Sequence, residues 1–377
     1  MRIGVDARPL LKQVTGIGRY TVELLRELQR LEQDIFLYAP ERFARGSYNY
    51  TNVHARTACP VRGRVAKTLW AQTVLPYLVT RDGVDVFWGA AHRLPPLLSR
   101  SCARVVTIHD LVWKHAGETM RMTSRLAERV LMPGAVRQAD LIMANSQSTA
   151  NDIEEEFPAA RGKVRVVYPG TALLARPESA AALSTLGVRL PYCLFVGTLE
   201  PRKNLRRLLG AFASLPDADR RGTQLVVVGG NGWGGVDVPS LLRELHLEAD
   251  VAAIGYVSDT QLSTLYAHAR FVAMPSLYEG FGFPLVEAMS FGVPVLTSRA
   301  SSMPEVAADA GVIVDPLDEA DIAAGMQRLL IDDALHQSLA IRAQANAARF
   351  SWDKTAREAL EVFAEARRIR GYSRAGR

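Results

Sequence analysis

Cysteine is scarce in this 377-residue chain: Cys59, Cys102 and Cys193 stand far apart, with no C-x-x-C pair. That excludes a disulfide framework, a thiolate zinc site and a dithiol redox centre, and it predicts a reducing, cytoplasmic compartment. Long apolar runs are missing too. The longest candidate, Leu69 to Val79, is broken by Gln72 and Pro76 and falls well short of the roughly 20 residues that span a bilayer. The N-terminus, MRIGVDARPL, enters a strand pattern at once and has no apolar signal-peptide core. Acidic residues vanish between Glu41 and Asp82, while Arg42, Arg45, Arg56, Arg62, Arg64, Lys67 and Arg81 fall inside that gap. A stretch that basic suits an anionic membrane surface or a substrate phosphate, with Arg62, Arg64 and Lys67 as the candidate contacts. The competing reading is a solvated surface loop. No recognised nucleic-acid module accompanies the basic stretch.

What is present reads as two α/β halves. In the first, Arg2–Asp6, Ile35–Tyr38, Val84–Trp88, Arg104–His109 and Leu141–Ala144 are short apolar strand candidates. Gly18–Leu31 is a helix candidate with Tyr20, Leu24, Leu25, Leu28 and Leu31 on one face. The second half repeats the logic with Tyr192–Val196, Gln224–Val228, Val251–Ile254, Phe271–Met274 and Val293–Thr297, and with helices starting near Asn204, Pro239, Asp259 and Pro284. Short apolar strands between amphipathic helices predict parallel sheets covered on both faces. The expected division is a domain over 1–170, a linker over 171–190, a second domain over 191–350, and a helix over 351–377 packing back on the first domain. Ligands of open α/β sheets lie beyond the carboxyl ends of the strands, so residues just after strands are the ones to inspect. Two such sheets would face each other across a cleft.

Two motifs stand out there. Glu279-Gly-Phe-Gly-Phe-Pro-Leu-Val-Glu287 follows the strand Phe271–Met274. Its glycines permit close backbone approach, and Pro284 suits a first helical turn whose free N–H groups favour an anion. Glu279 and Glu287 are each able to grip a sugar diol. Gly197-Thr-Leu-Glu-Pro-Arg202-Lys203-Asn204 follows the first strand of the second half. Adjacent cations at a strand end form a diphosphate clamp able to stabilise a leaving group without a metal ion, and Asn204 reads as a helix cap.

In this order the motifs resemble the family-4 retaining glycosyltransferases of GT-B fold. The likeness covers essentially the whole chain and extends to Gly16-Ile-Gly18-Arg19-Tyr20, Ile108-His109-Asp110, Asn145-Ser146, Gly229-Gly-Asn-Gly-Trp-Gly and Ser301-Ser-Met-Pro-Glu305-Val. The resemblance implies that Glu287 holds the donor ribose. Glu279, with the amides of Phe281, Gly282 and Phe283, would hold the transferred sugar and its phosphate, and Arg202 and Lys203 would neutralise the diphosphate. Gly16 and Gly18 would let the first loop approach phosphates, and His109 would sit beside the sugar. Asp6, Arg8, Arg19 and Asp110 are acceptor-side candidates. A double displacement needs two carboxylates about 5 Å apart, and no such pair is evident; the family instead implies front-face attack, which rests on positioning and electrostatics.

The general likeness to bacterial mannosyl- and rhamnosyltransferases makes mannose from GDP-mannose the leading donor and a lipid-linked saccharide of surface polysaccharide or O-antigen assembly the expected acceptor. No cofactor or metal is expected beyond the nucleotide sugar. A UDP-hexose donor, a GT-B-like sugar-nucleotide epimerase and a non-catalytic sugar-nucleotide-binding subunit are the alternatives. Other signals are discounted. Gly230-Asn-Gly232-Trp-Gly-Gly235 matches G-x-G-x-x-G but opens no helix. Asp217-Ala-Asp219 is a D-x-D in a connecting turn. Ser302-Met-Pro-Glu305 fits a helix capping box as well as a donor contact.

Overall fold

Parallel pairing runs through both sheets of the computed structural model, which describes residues 1–11, 16–43, 52–57, 63–171, 175–220, 222–230, 232–234 and 237–375. The first sheet comprises β1 (Arg2–Asp6), β2 (Asp34–Ala39), β3 (Val53–Thr57), β4 (Val86–Gly89), β5 (Ala103–Ile108), β6 (Leu141–Ala144) and β7 (Val164–Val166), in the order β3-β2-β1-β4-β5-β6-β7. The second comprises β8 (Tyr192–Val196), β9 (Gln224–Val228), β10 (Val251–Gly255), β11 (Val272–Met274), β12 (Val295–Ser298) and β13 (Gly311–Val314), in the order β10-β9-β8-β11-β12-β13. In both sheets the strand order therefore reverses beside the first strand, at β1/β4 and at β8/β11. That reversal opens a crevice at the carboxyl ends of the two strands, where ligands of doubly wound sheets bind.

The expected strands form within a residue or two of their predicted bounds. β3, β7 and β13 are additions. β3 and β7 carry half-buried, partly polar residues instead of an apolar run, so nothing in their composition marks them as strands. Among the described residues, no helix is long and apolar enough to cross a membrane.

The chain divides into two compact units. One contains Met1–Leu111, Leu126–Gly170 and Ser351–Arg377; the other contains Val112–Arg125 and Thr171–Phe350. The helix Trp352–Ala375 covers the first sheet with the helix Ile17–Arg30. Trp352, Ala356, Ala359, Val362, Phe363 and Ala366 are buried along it, each large side chain contributing about 2 kcal/mol by removal from water. Two of its arginines are engaged within the unit: Arg370 meets Asp140 at 3.0 Å and Arg367 meets Asp85 at 3.2 Å.

One stretch departs from the expected division. Val112–Arg125, inside the 1–170 span, packs as a strap on the second unit. Val112 and Ala116 bury against Tyr278, and the His115 ring stacks on Tyr278 at 5.2 Å. Trp233 Nε1 donates to the Thr119 carbonyl, and the Arg121 guanidinium lies 5.9 Å from the Trp233 ring centre. Apolar side chains at positions 112 and 116, one helical turn apart, give the strap one sticky face.

The basic stretch is less bare than its sequence implies. The two acids that bound it fold back on it: Glu41 pairs with Lys67, and Asp82 takes Arg56 at 3.0 Å and Arg81 at 3.1 Å. From Arg64 to Arg81 the chain is a helix, not a loop. Arg62 lies outside the described residues, and Arg64 contributes backbone to the start of that helix.

Candidate active site

The two motifs flank the β8/β11 crevice of the second unit. After β8 the chain makes the turn Pro201–Lys203, and after β11 it runs through Ser276 and Tyr278 to Glu279. Arg202, Lys203 and Glu279 meet there. Lys203 Nζ donates to Glu279 Oε1 at 2.5 Å, and Arg202 Nη1 lies 2.6 Å from Glu279 Oε2. Ser276 Oγ adds a 2.9 Å hydrogen bond to Glu279 Oε1. Burial alone would push the Glu279 carboxyl up, but the two cations outweigh it and hold it at about 2. Glu279 is therefore a fixed anion at neutral pH.

The loop that carries Glu279 is held by serines. The Glu279 amide donates to Ser301 Oγ at 2.8 Å, while the Ser302 hydroxyl lies 3.0 Å and 3.1 Å from the Glu279 and Phe281 carbonyls. The capping-box reading of Ser302 and Glu305 is thus corrected: the hydroxyl is spent on the Glu279 loop and makes no cap on the helix Met303–Ala307. Gly282 has φ +99°, a left-handed conformation suited to glycine, and leads directly into the helix Phe283–Ser290. Phe281 is buried between Phe283 and Phe350, so only its backbone is available to a ligand. Glu287 lies inside the same helix, buried, and accepts a 2.8 Å hydrogen bond from the Tyr266 hydroxyl.

Asn204 is a second correction. It stands before the helix Leu205–Ser214 but makes no side-chain cap. Its amide instead donates to the Pro275 carbonyl at 2.9 Å and the Pro316 carbonyl at 2.7 Å, tying together loops that follow β11 and β13. Its φ of +62° is one that asparagine tolerates better than most side chains. Gly229 brings a neighbouring loop against this one. A Cβ there would sit 1.9 Å from the Gly197 carbonyl oxygen, so the approach requires glycine. Asn231 and Gly235 of the same loop lie outside the described residues.

In the first unit, Asp6 ends β1 and clasps Arg8, at 2.8 Å to Nε and 2.5 Å to Nη2. These two of the four acceptor-side candidates form one ion pair, with Asp6 buried and Arg8 half-buried. Gly16 precedes the helix Ile17–Arg30, Gly18 is buried in its first turn, and Arg19 and Asp110 are half-buried. His109 follows β5. Its Nε2 lies 2.8 Å from the Ala90 carbonyl, which only accepts, so Nε2 carries the proton. Burial pushes this imidazole down to about 3, leaving a neutral ring with the Nδ1 lone pair as its acceptor. His109 is suited to orient a hydroxyl and unsuited to act as a cation.

Partners missed by sequence reasoning hold the backbone that carries this ring. The His109 amide donates to His92 Nε2 at 3.0 Å, and Glu128 joins His92 at 3.3 Å and Arg93 at 3.1 Å. They are far apart in sequence and share no motif. The unfolded imidazole of His109 titrates near 6.5 and the folded one near 3, so the unfolded chain takes up the extra proton between those values. Stability present above pH 6.5 is therefore lost on acidification, by about 2 kcal/mol between pH 6.5 and 5. His109→Gln should abolish that share of the fall in melting temperature; an unchanged pH slope would contradict the assignment.

Among the described residues, no three His, Cys, Asp or Glu side chains gather as metal ligands. Asp217 and Asp219 sit in a short helical turn, engaged by Arg220 and Gln327.

Comparison with known proteins matches residues 14–173 to the family model "Glycosyltransferase Family 4" and residues 185–346 to "Glycosyl transferases group 1". The chain is 31% identical to an O-antigen chain mannosyltransferase B of Escherichia coli, covering 96% of this chain and 99% of that one. It is 32% identical to a D-inositol 3-phosphate glycosyltransferase of Streptomyces bingchenggensis, over 68% of this chain and 59% of that one. In fold it is similar to a sucrose-phosphate synthase of Thermosynechococcus elongatus, with TM-score 0.78, 20% identity, and coverage of 97% and 98% of the two chains. It is likewise similar to WaaG, a glycosyltransferase involved in lipopolysaccharide biosynthesis, with TM-score 0.74, 17% identity, and coverage of 96% and 99%. With a relative matched along nearly its whole length and both halves matched by glycosyltransferase models, the chain belongs to the family-4 glycosyltransferases of GT-B fold.

Proposed function

We propose that this enzyme is a retaining glycosyltransferase that moves a hexose, foremost mannose from GDP-mannose, onto a lipid-linked saccharide of O-antigen or related surface-polysaccharide synthesis, without a metal ion. The observation that carries the reading is the meeting of Arg202, Lys203 and Glu279 at the β8/β11 switch point. Two fixed cations there supply the charge that a departing nucleoside diphosphate needs. Glu279 supplies acceptors for the hexose hydroxyls, and Glu287 supplies them for the ribose. The leaving phosphate takes the acceptor's proton, so the protein's part is placement and field. The choice of mannose and of O-antigen synthesis is supported by the Escherichia coli relative.

A lipid-linked acceptor suits the first unit's surface, where Leu126 and Val130 are exposed beside Arg129 on the helix Met122–Gln138. Cytoplasmic residence with peripheral membrane contact follows from that acceptor. The D-inositol 3-phosphate glycosyltransferases that also match favour a second reading, a small phosphorylated acceptor.

Calorimetric titration with GDP, UDP and ADP in the presence of a chelator tests the donor. Selective GDP binding is expected. Selective UDP or ADP binding would overturn the GDP assignment, binding that appears only with magnesium or manganese would overturn metal independence, and no binding at all would overturn the donor site itself.

A further inference from the structure

Glu200 is the member of this cluster to which the motif reading assigns no role. It ends the loop after β8, is only 3% exposed, and its Oε1 receives Arg202 Nη2. Its Oε2 is buried with no hydrogen-bond partner among the described residues. A carboxylate kept in that position is expensive, since half of its hydrogen-bonding capacity is unmet in a site of low dielectric. A surface ion pair retained for stability would not be built this way.

The charge balance points to its use. Arg202 and Lys203 carry two positive charges, and Glu200 and Glu279 carry two negative ones, so the cluster is neutral as it stands. Glu279 Oε1 already accepts from Lys203 and Ser276, and its Oε2 lies against Arg202. A diphosphate entering beside this cluster draws both cations toward itself. As they leave Glu279, its lone pairs are released to accept sugar hydroxyls. That exchange works only if the Arg202 guanidinium keeps its orientation once Glu279 lets go. Besides Glu279, the Arg202 fork meets the Tyr278 carbonyl at 2.6 Å on Nη1 and Glu200 on Nη2. Of these, only Glu200 is charged.

We propose that Glu200 is a positioning residue that fixes the Arg202 guanidinium for the nucleoside diphosphate while Glu279 exchanges its cations for ligand hydroxyls. The inference rests on the donor-site reading and goes beyond it, because Glu200 acts through Arg202 and does not touch the ligand. Removing its charge lets the fork turn about its own axis and pay an ordering cost on every binding event.

The test is calorimetry of Glu200→Gln and Glu200→Asp with whichever of GDP or UDP the unaltered enzyme binds, each also in an Arg202→Lys background. Glu200→Gln should bind about tenfold more weakly, and Glu200→Asp should recover part of the loss. In the Arg202→Lys background, where no fork remains to be fixed, Glu200→Gln should cost nothing further. Affinity within twofold of the unaltered enzyme in Glu200→Gln would overturn the proposal. So would an equal loss in the Arg202→Lys background, which would mark a purely structural effect. If Glu200→Gln does not fold, Glu200→Asp at full affinity in the Arg202 background overturns it in the same way. Absence of binding by the unaltered enzyme would instead overturn the donor-site reading, and this inference with it.

Discussion

Glu279→Gln is expected to lower turnover of the nucleotide sugar by about 10²–10³-fold, the scale of losing one group placed for the transition state. The substitution keeps the shape and the acceptor oxygen that Lys203 and Ser276 use, but it removes one of the two negative charges that balance buried Lys203 and half-buried Arg202. Without ligand the protein should lose about 3 kcal/mol, because breaking one partner of a buried pair leaves the other uncompensated. A nucleoside diphosphate restores the missing negative charge. The rise in melting temperature on saturation with GDP or UDP should therefore be larger in Glu279→Gln than in the unaltered enzyme. Poor turnover combined with strong nucleotide stabilisation separates a site residue from a structural one. Near-normal turnover would remove Glu279 from the site.

Asn204→Ala is expected to act mainly on stability. It strips the donor from the Pro275 and Pro316 carbonyls in a buried setting and places alanine at φ +62°. Two unmet carbonyls and the left-handed backbone together cost about 3 kcal/mol, which corresponds to a fall of roughly 10 °C in melting temperature for a unit of this size. Asn204→Gly removes the hydrogen bonds but not the backbone's freedom, so it should be about 1 kcal/mol less harmful than alanine. Equal melting points for all three proteins would show that the amide ties nothing together.

These residues also mark how far sequence could be read. Alternation of apolar strands with amphipathic helices exposed both sheets, because burial on two faces leaves a composition that solvent-exposed segments do not share. Arg202, Lys203 and Glu279 were legible because their strand-end positions are local properties. Asn204 was misread for the same reason: asparagine before a helix usually caps it, and only the tertiary fold shows its amide committed to two distant loops. Ser302 was misread likewise. Glu200 sat in plain view within a motif, yet its significance lies in burial and in an unmet oxygen, which no spacing encodes. The His92–Glu128 brace of His109 joins residues 36 positions apart. Nor could charge counting show that Glu41 and Asp82, the acids bounding the basic run, turn back to neutralise part of it.

The chain passes between its two units four times, after Leu111, Arg125, Gly170 and Phe350, and this bears on how the protein is made. The last strand of the first sheet ends at Val166, but the helix that covers that sheet begins at Trp352. At ordinary translation rates roughly 10–40 s separate the two. Throughout that interval Val105, Val106 and their neighbours lack their cover, while the strap at 112–125 waits for Tyr278 and Trp233 to be synthesised. Neither unit can close in the order in which it emerges. The first-made sheet thus gains its cover only after all of the second unit has been synthesised, and the helix Trp352–Ala375 sets the moment at which the first unit closes.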